Sequence, residues 1–196
     1  MRAVAISTLG ALLVTGIALV PQASIAAPAD VPPEVVASRE AVQKFSATLK
    51  EALQEAVKSG GPVNGIAVCH DKAGQIATDL SQQLGMTVGR TSLKVRNSTN
   101  AADDWELAVL KQFDARKAQG EPADKLEFFE VTDHGGQKTF RYMKAIPTGA
   151  LCLNCHGENL KPEVDAKLKE LYPNDQARGF KEGNLRGAFT LAKPAS

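Results

Sequence analysis

One five-residue stretch, Cys152-Leu-Asn-Cys155-His156, constrains this chain more than any other feature of its sequence. Its pattern, C-x-x-C-H, is typical of the covalent attachment of c-type haem. Two thiols three positions apart can each add to one vinyl group of the same porphyrin, and the adjacent histidine can then ligate the iron. The motif therefore predicts one covalently attached haem c, bound through Cys152 and Cys155, with His156 as an axial ligand.

Two other interpretations of this cysteine pair are weaker. A thioredoxin-like redox pair would open a helix after a strand, near the start of a βαβ unit. A zinc site would need further ligands, but the sequence has no second C-x-x-C and no H-x-x-x-H to supply them. The pattern at the start of the chain also favours haem, because c-type attachment takes place outside the cytoplasm.

The first 26 residues resemble a cleavable export signal. Arg2 precedes an apolar run from Ala3 to Val20, and small residues then allow signal-peptidase cleavage after Ala26. An uncleaved membrane anchor is the alternative, but the run is short for a spanning helix and is diluted by Ser, Thr and Gly. We expect a periplasmic or otherwise exported protein, without a stable membrane span after cleavage, that consists of a signal peptide (1–26), a flexible stem (27–33) and a single domain (34–196).

Charge and cysteine content narrow the choice of partners. Lys plus Arg number 23 against 22 Asp plus Glu, and no basic cluster is interleaved with aromatic residues. Nucleic acid is therefore not an expected partner.

Exported proteins normally pair their cysteines, but this chain has three, which is an odd number. We therefore expect at least one thiol to have a partner other than a second sulfur.

Hydrophobic periodicity predicts a mixed set of elements. Apolar residues at helical spacing indicate helices over Glu34–Ser59, over Val63–Leu84 after a Ser-Gly-Gly-Pro break, from Asp103 or Asp104 to near Gly120, and over Glu163–Leu171. Alternation indicates strands in TVGRTSLKVRN (87–97), on both sides of the turn Asp-His-Gly-Gly (133–136), and in RGAFTLA (186–192). The predicted fold class is α+β. The alternative is a four-helix-bundle cytochrome, which also carries its haem motif toward the C-terminus.

Several groups are candidates for the iron position opposite His156. They are Cys69, His70, His134, Met86, Met143 and the N-terminal amine. Cys69 lies on the apolar stripe of the second predicted helix, while His70 is turned by about 100° around the helix axis. An inert buried thiol is the alternative for Cys69, but an oxidising compartment penalises a thiol that is neither buried nor bound to metal. The residues alone leave this position open.

Four segments resemble a family of small exported c-type haem proteins with a PAS-like fold, long classed as a domain of unknown function. They are AVCH (67–70), GRTSLKVRNSTNAADDWE (89–106), ALCLNCHG (150–157) and YPNDQARGFKEGNLRGAF (172–189). The resemblance implies a PAS-like antiparallel sheet with flanking helices. It also implies axial ligation by His156 and the Cys69 thiolate, because family members place a cysteine at the position of Cys69 opposite the motif histidine.

Basic residues near the motif are candidates for the haem propionates. Arg90, Lys94 and Arg96 share one face of the predicted strand, and we expect Arg90 and Arg96 to contact the cofactor; a merely solvated face is the alternative.

The predicted function is electron transfer or redox sensing at a low potential, with an unidentified redox protein as partner. The alternative is a sensor of NO or CO, although no segment predicts a kinase, cyclase or DNA-binding output. No acid–base constellation indicates an enzyme.

Overall fold

A computed structural model of the chain describes residues 31–134 and 136–195. The predicted signal peptide and most of the predicted stem lie outside these residues. The helices and strands are α1 (Pro33–Asp71), α2 (Ala73–Leu84), β1 (Thr87–Thr91), α3 (Asp104–Ala118), β2 (Glu127–His134), β3 (Gln137–Pro147), α4 (Leu153–His156), α5 (Pro162–Leu171) and β4 (Leu185–Pro194). No helix in the described ranges combines the length and the apolar character needed to cross a membrane.

The four strands form one antiparallel sheet in the order β1-β4-β3-β2. The hairpin predicted from its Asp-His-Gly-Gly turn joins β2 to β3. Gly136 there has a positive φ of 82°, and its backbone N–H donates to the Asp133 carboxylate at 2.9 Å. A glycine is suited to this conformation because it has no Cβ. The sheet confirms the α+β fold class and excludes the four-helix bundle.

Helices cover both faces of the sheet. Alternate residues of β3 point to opposite sides, so Tyr142 packs against α1 and α2 while Met143 packs against α3. A third apolar cluster lies apart from these two and joins the C-terminal part of α1 to α5 through Ile66 and Leu168. The helix α1 therefore contributes to two separate cores.

A sharp change of backbone direction divides α1. Gly60 and Gly61 have non-helical conformations, with Gly61 at φ 70° and ψ −173°, and Pro62 follows. The predicted break between two helices is therefore confirmed, and we call Pro62–Asp71 the second segment of α1. The predicted helix over Val63–Leu84 is interrupted once, at Lys72, although the Lys72 backbone stays in the right-handed helical region.

The predicted strand over residues 87–97 is too long. Strand β1 ends at Thr91, because the Ser92 hydroxyl accepts a hydrogen bond from the backbone N–H of Lys94 at 3.1 Å and donates to the Arg186 carbonyl at 2.8 Å. Such local side-chain bonds compete with a strand ladder. The prediction that Arg90, Lys94 and Arg96 share one strand face is therefore wrong, since only Arg90 lies in the strand.

Candidate haem site

The C-x-x-C-H segment follows the sheet directly. After β3, the chain forms a short 3-10 turn that ends at Cys152, and α4 then carries Cys155 and His156. Spacings of three and four residues bring the three side chains to one side of this helical stretch. Each of the three residues is half-buried, and neither cysteine forms a disulfide. Both thiols are therefore available for covalent attachment.

The ring of His156 is held by one hydrogen bond. Its Nδ1 lies 2.8 Å from the carbonyl oxygen of Ala177. A carbonyl can only accept, so Nδ1 carries the proton and Nε2 keeps its lone pair. Burial, together with the positive charge of Arg186, holds the pKa of His156 well below its usual value. The imidazole is therefore neutral, which is the form that binds a metal.

The chain segment 175–180 wraps around His156. The backbone N–H of Phe180 donates to the His156 carbonyl at 2.9 Å, and that of Gly179 donates to the Gly157 carbonyl at 3.1 Å. The Phe180 ring stands perpendicular to the imidazole with the ring centroids 6.2 Å apart. Because the imidazole, its carbonyl acceptor and its main chain are all held by this one segment, the ring orientation is fixed before any ligand binds.

Cys69 lies on the second segment of α1, which packs close to α4. The Cys155 sulfur is 4.0 Å from the Pro62 carbonyl at the start of that segment. Burial raises the pKa of the Cys69 thiol, the nearby arginines Arg90, Arg96 and Arg186 oppose that rise, and a charge on Cys152 adds to it. The unpaired thiol is thus close to the attachment motif and surrounded by positive charge.

The neighbouring His70 has a different environment. As helical spacing predicts, His70 is exposed while Cys69 is half-buried. The Nδ1 atom of His70 lies 2.7 Å from the carboxylate of Asp71, and its ring meets Tyr172 edge-on with centroids 5.3 Å apart. Asp71 is exposed, whereas Tyr172 belongs to the apolar cluster between α1 and α5. The structure therefore brings Cys69, and not His70, toward the interior.

The other candidate ligands either lie in the apolar cores of the sheet or are not among the residues that the structure describes. Met143 is fully buried in the core beneath α3, and Met86 packs against the core on the opposite face of the sheet. The side chain of His134 and the N-terminal amine are outside the described part of the chain. Cys69, in contrast, interacts electrostatically with both attachment cysteines.

Two half-buried arginines, Arg90 and Arg186, lack carboxylate partners among the described residues. Arg90 lies over the Phe45 ring at 5.5 Å, and burial lowers its pKa. Burial lowers the pKa of Arg186 to about 10, and its Nε atom is buried without a hydrogen-bond partner. Buried cations are normally paired. The Arg186 Nε donor is therefore available to an anionic group of a bound ligand.

Sequence reasoning identified Arg90 but missed Arg186. Arg186 is the one charged residue in the last predicted strand, RGAFTLA (186–192), which is otherwise apolar or small apart from Thr190. That charge was the available signal. Its partners could not be read from the sequence, because Ser92 and Lys94, which accept from Arg186 Nη1 at 3.2 and 3.4 Å, are more than ninety positions away.

The arrangement fits a c-type haem. Two unpaired thiols are available for thioethers, a neutral imidazole offers Nε2, and a third thiol lies nearby. Arg90 and Arg186, which form no ion pair with a described carboxylate, match in number the two propionates of a haem. Arg96 is placed differently, because its guanidinium pairs with Asp175 at 3.0 Å and reaches two backbone carbonyls.

These features define an α+β domain with a C-x-x-C-H site beside a buried thiol, and comparison with known proteins places it in a family. The chain belongs to the Tll0287-like family, whose sequence model matches residues 30–194. A solved relative is the cyanobacterial haem protein Tll0287, known from a crystal structure. It is 26% identical, with a TM-score of 0.64, and the match covers 85% of this chain and 98% of that chain. No curated protein sequence matches.

Proposed function

We propose that this protein is an exported monohaem c-type protein that acts in electron transfer or redox sensing. The observation that carries the proposal is His156, a neutral imidazole whose Nδ1 is bound to Ala177 and whose Nε2 has no hydrogen-bond partner among the described residues, beside the two thiols of the C-x-x-C-H motif. The haem protein Tll0287 supports it, because the two chains share fold and family. A haem bound here supplies a one-electron Fe(III)/Fe(II) couple.

For the second axial position we propose the Cys69 thiolate. Burial alone favours the neutral thiol, but a thiol that coordinates a metal ion is deprotonated, and Arg90, Arg96 and Arg186 favour the resulting negative charge. An anionic sulfur donor stabilises Fe(III) and keeps the reduction potential low. Because both axial positions are then filled by protein groups, the proposal includes no enzymatic activity.

For the propionates we propose Arg90 and Arg186. Both residues are half-buried, burial lowers the pKa of each, and neither forms an ion pair with a described carboxylate. The predicted contact of Arg96 with the cofactor could form only through Nη1, because Nε and Nη2 already bind Asp175 and two carbonyls. We therefore propose no propionate contact for Arg96.

The sheet with its flanking helices is compatible with the PAS-like architecture that the sequence resemblance implies. The proposed location is the periplasm or another exported compartment, with an unidentified redox protein as partner. A role as a sensor of NO or CO would need a distal ligand that leaves easily. We favour the redox role, because Arg90, Arg96 and Arg186 favour the negative charge of a Cys69 thiolate bound to Fe(III).

Covalent attachment is tested with protein produced together with a c-type maturation system. Acid–acetone extraction should leave the colour with the polypeptide, and the pyridine haemochrome should show one haem with both vinyl groups saturated. The double variant Cys152→Ser, Cys155→Ser should lose covalent haem, while the matched control Cys69→Ser should keep it. Colour that passes into the organic phase from the wild type would refute the proposal.

A further inference from the structure

Resting on that proposed function, we infer that Arg96 and Asp175 are positioning residues that tune the axial histidine. Arg96 binds the Ala177 carbonyl, which is the acceptor for His156 Nδ1, and weakens that carbonyl as an acceptor, while Asp175 holds Arg96 and the Ala177 N–H in place. The imidazole then keeps less negative character, and the reduction potential is higher than it would be without them.

The Ala177 carbonyl is shared between two donors. His156 Nδ1 donates to it at 2.8 Å, and Arg96 Nη2 donates to the same oxygen at 3.1 Å. Arg96 Nη2 also reaches the carbonyl of Cys155, one residue before His156, at 2.6 Å. One guanidinium therefore contacts the backbone at two points next to His156. One is the carbonyl of Cys155, in the turn that carries the imidazole, and the other is the Ala177 carbonyl, which accepts the hydrogen bond from His156 Nδ1.

Asp175 closes this arrangement into a ring of contacts. Its carboxylate accepts from Arg96 Nε at 3.0 Å and from Arg96 Nη2 at 3.2 Å. It also accepts from the backbone N–H of Ala177 at 2.9 Å. The Asp175 carboxylate thus binds the N–H of Ala177, and the Arg96 guanidinium binds the carbonyl of the same residue. We call this set of contacts the Arg96–Asp175 clamp.

Burial makes the clamp electrostatically effective. The Arg96 side chain is 11% exposed and that of Asp175 is 2% exposed. Interactions between such groups are screened much less than those at a surface. The cation beside the Ala177 oxygen draws electron density from it, so the oxygen accepts less strongly from His156. Outer hydrogen bonds of this kind set the basicity of a metal-bound histidine.

The direction of the effect follows from this geometry. A strong acceptor at Nδ1 would make the imidazole a better donor to Fe(III) and would lower the potential. By weakening the acceptor, the clamp raises the potential, and it acts against the proposed Cys69 thiolate. The clamp beside His156 thus raises the reduction potential, whereas the proposed Cys69 thiolate lowers it.

The chain offers a matched control for a purely structural role. Arg178 also pairs with Asp175, with its Nε atom at 2.9 Å from the carboxylate, and it pairs with Asp165. It forms no hydrogen bond to Ala177 or to His156 among the described residues. Replacing Arg178 therefore removes an ion pair from Asp175 without touching the acceptor of the histidine proton.

The test compares Arg96→Gln, Arg96→Lys and Arg178→Gln in holoprotein whose haem content is first confirmed by pyridine haemochrome. The measurements are the reduction potential, the EPR g-values of the ferric state and the exchange rate of the His156 Nδ1 proton by NMR. Arg96→Lys keeps the charge but loses the planar fork that serves three acceptors at once. We expect both Arg96 variants to have a lower reduction potential than the wild type. At a fixed solution potential the ferric-to-ferrous ratio should rise by up to about tenfold, which corresponds to about 59 mV for one electron.

The same variants should show altered g-values and slower exchange of the Nδ1 proton, because the bond to Ala177 strengthens. Arg178→Gln should leave all three quantities at wild-type values. If Arg96→Lys matches the wild type, the positive charge alone sets the reduction potential, without the hydrogen bonds of the Arg96–Asp175 clamp. The inference is then wrong. If both Arg96 variants lower the melting temperature but leave the potential, the g-values and the exchange rate at wild-type values, the role is structural and the inference is wrong. A wild type without haem would refute the proposed function itself.

Discussion

At the scale of single residues, the adjacent pair Cys69 and His70 shows how helical geometry separates two possible ligands. Cys69 is half-buried near the attachment cysteines and positively charged side chains, whereas His70 is exposed and bound to Asp71. A rotation of about 100° between consecutive residues produces this difference. The unpaired thiol therefore has a structural context that its neighbour lacks.

Replacing Cys69 with serine should change the iron site without releasing the haem. We expect the haem to remain attached through Cys152 and Cys155, because the thioethers do not involve Cys69. The low-spin ferric spectrum should be disturbed and the potential should rise, since an anionic donor that favours Fe(III) is lost. Absorption, EPR and potentiometric titration measure these changes.

The matched variant for this experiment is His70→Ala. It removes an imidazole one position away, on the outer side of the helix, and should leave spectrum and potential near wild type. If His70→Ala abolishes the low-spin ferric spectrum while Cys69→Ser preserves it, the sixth ligand is His70, and Cys69 is only a small buried side chain.

At the scale of elements, the break in α1 decides where the second segment points. The backbone of Gly61, at φ 70° and ψ −173°, lies in a region that only glycine occupies readily. Beyond it, Pro62–Asp71 packs against α5 through Ile66. The first part of α1 is anchored on the sheet, so the turn at Gly60 and Gly61 determines the approach of Cys69 to α4.

Gly61→Ala should therefore destabilise the fold and shift the second segment. We expect a loss of about 1–3 kcal/mol in the free energy of unfolding, because a Cβ is strained in this conformation even though space around it is open. Chemical denaturation measures the loss, and the ferric absorption spectrum reports the shift of Cys69.

A second glycine provides the control. Gly74 lies within α2, and a Cβ added there would meet no atom within 4 Å. Gly74→Ala should be neutral or should stabilise the protein by about 0.5–1 kcal/mol, because alanine is favoured over glycine within a helix. Equal losses for the two variants would show that the Gly61 conformation is not required.

The sequence predicted the elements better than their ends, and the attachment motif better than its surroundings. The α1 break followed from Gly and Pro, and the hairpin followed from its turn residues, because these signals are local. The end of β1 depends on a bond from Ser92 to Arg186, and the acceptor for His156 lies 21 positions away at Ala177. Such distant contacts form only in the folded chain, so local patterns could not predict them.

At the scale of the whole molecule, α1 is tied to the far edge of the sheet by a charged cluster. Glu127 in β2 accepts hydrogen bonds from Arg39 of α1 at 3.1 Å and from the Tyr142 hydroxyl at 2.7 Å. The bond from Arg39, aided by that from Tyr142, lowers the pKa of Glu127 against an opposing effect of burial. The cluster joins the first helix to two strands.

This cluster should make stability depend on pH in the acid range. The pKa of Glu127 is lower in the folded chain than in the unfolded chain, so its contribution is present above the unfolded pKa and is lost as pH falls through the folded pKa. Glu127→Gln should lose about 1 kcal/mol near neutral pH. Between pH 6 and pH 3 it should then lose less stability than the wild type.

Urea unfolding of both proteins at the two pH values measures this difference. Glu40→Gln is a suitable control, because Glu40 is an exposed carboxylate on the same helix. Its acid sensitivity should match that of the wild type. A Glu127→Gln variant that loses as much stability in acid as the wild type would show that other carboxylates dominate.

The position of Cys69 on the second segment of α1 has a consequence for chain topology. If Cys69 and His156 bind one iron, the bond closes a polypeptide loop of about 90 residues, and closing a loop restricts the unfolded chain as a disulfide does. Unlike a disulfide, this crosslink would change its strength with a single electron. Reduction of the iron would then weaken the crosslink. The free energy of unfolding of the protein would therefore depend on its redox state, and would be lower for the ferrous than for the ferric form.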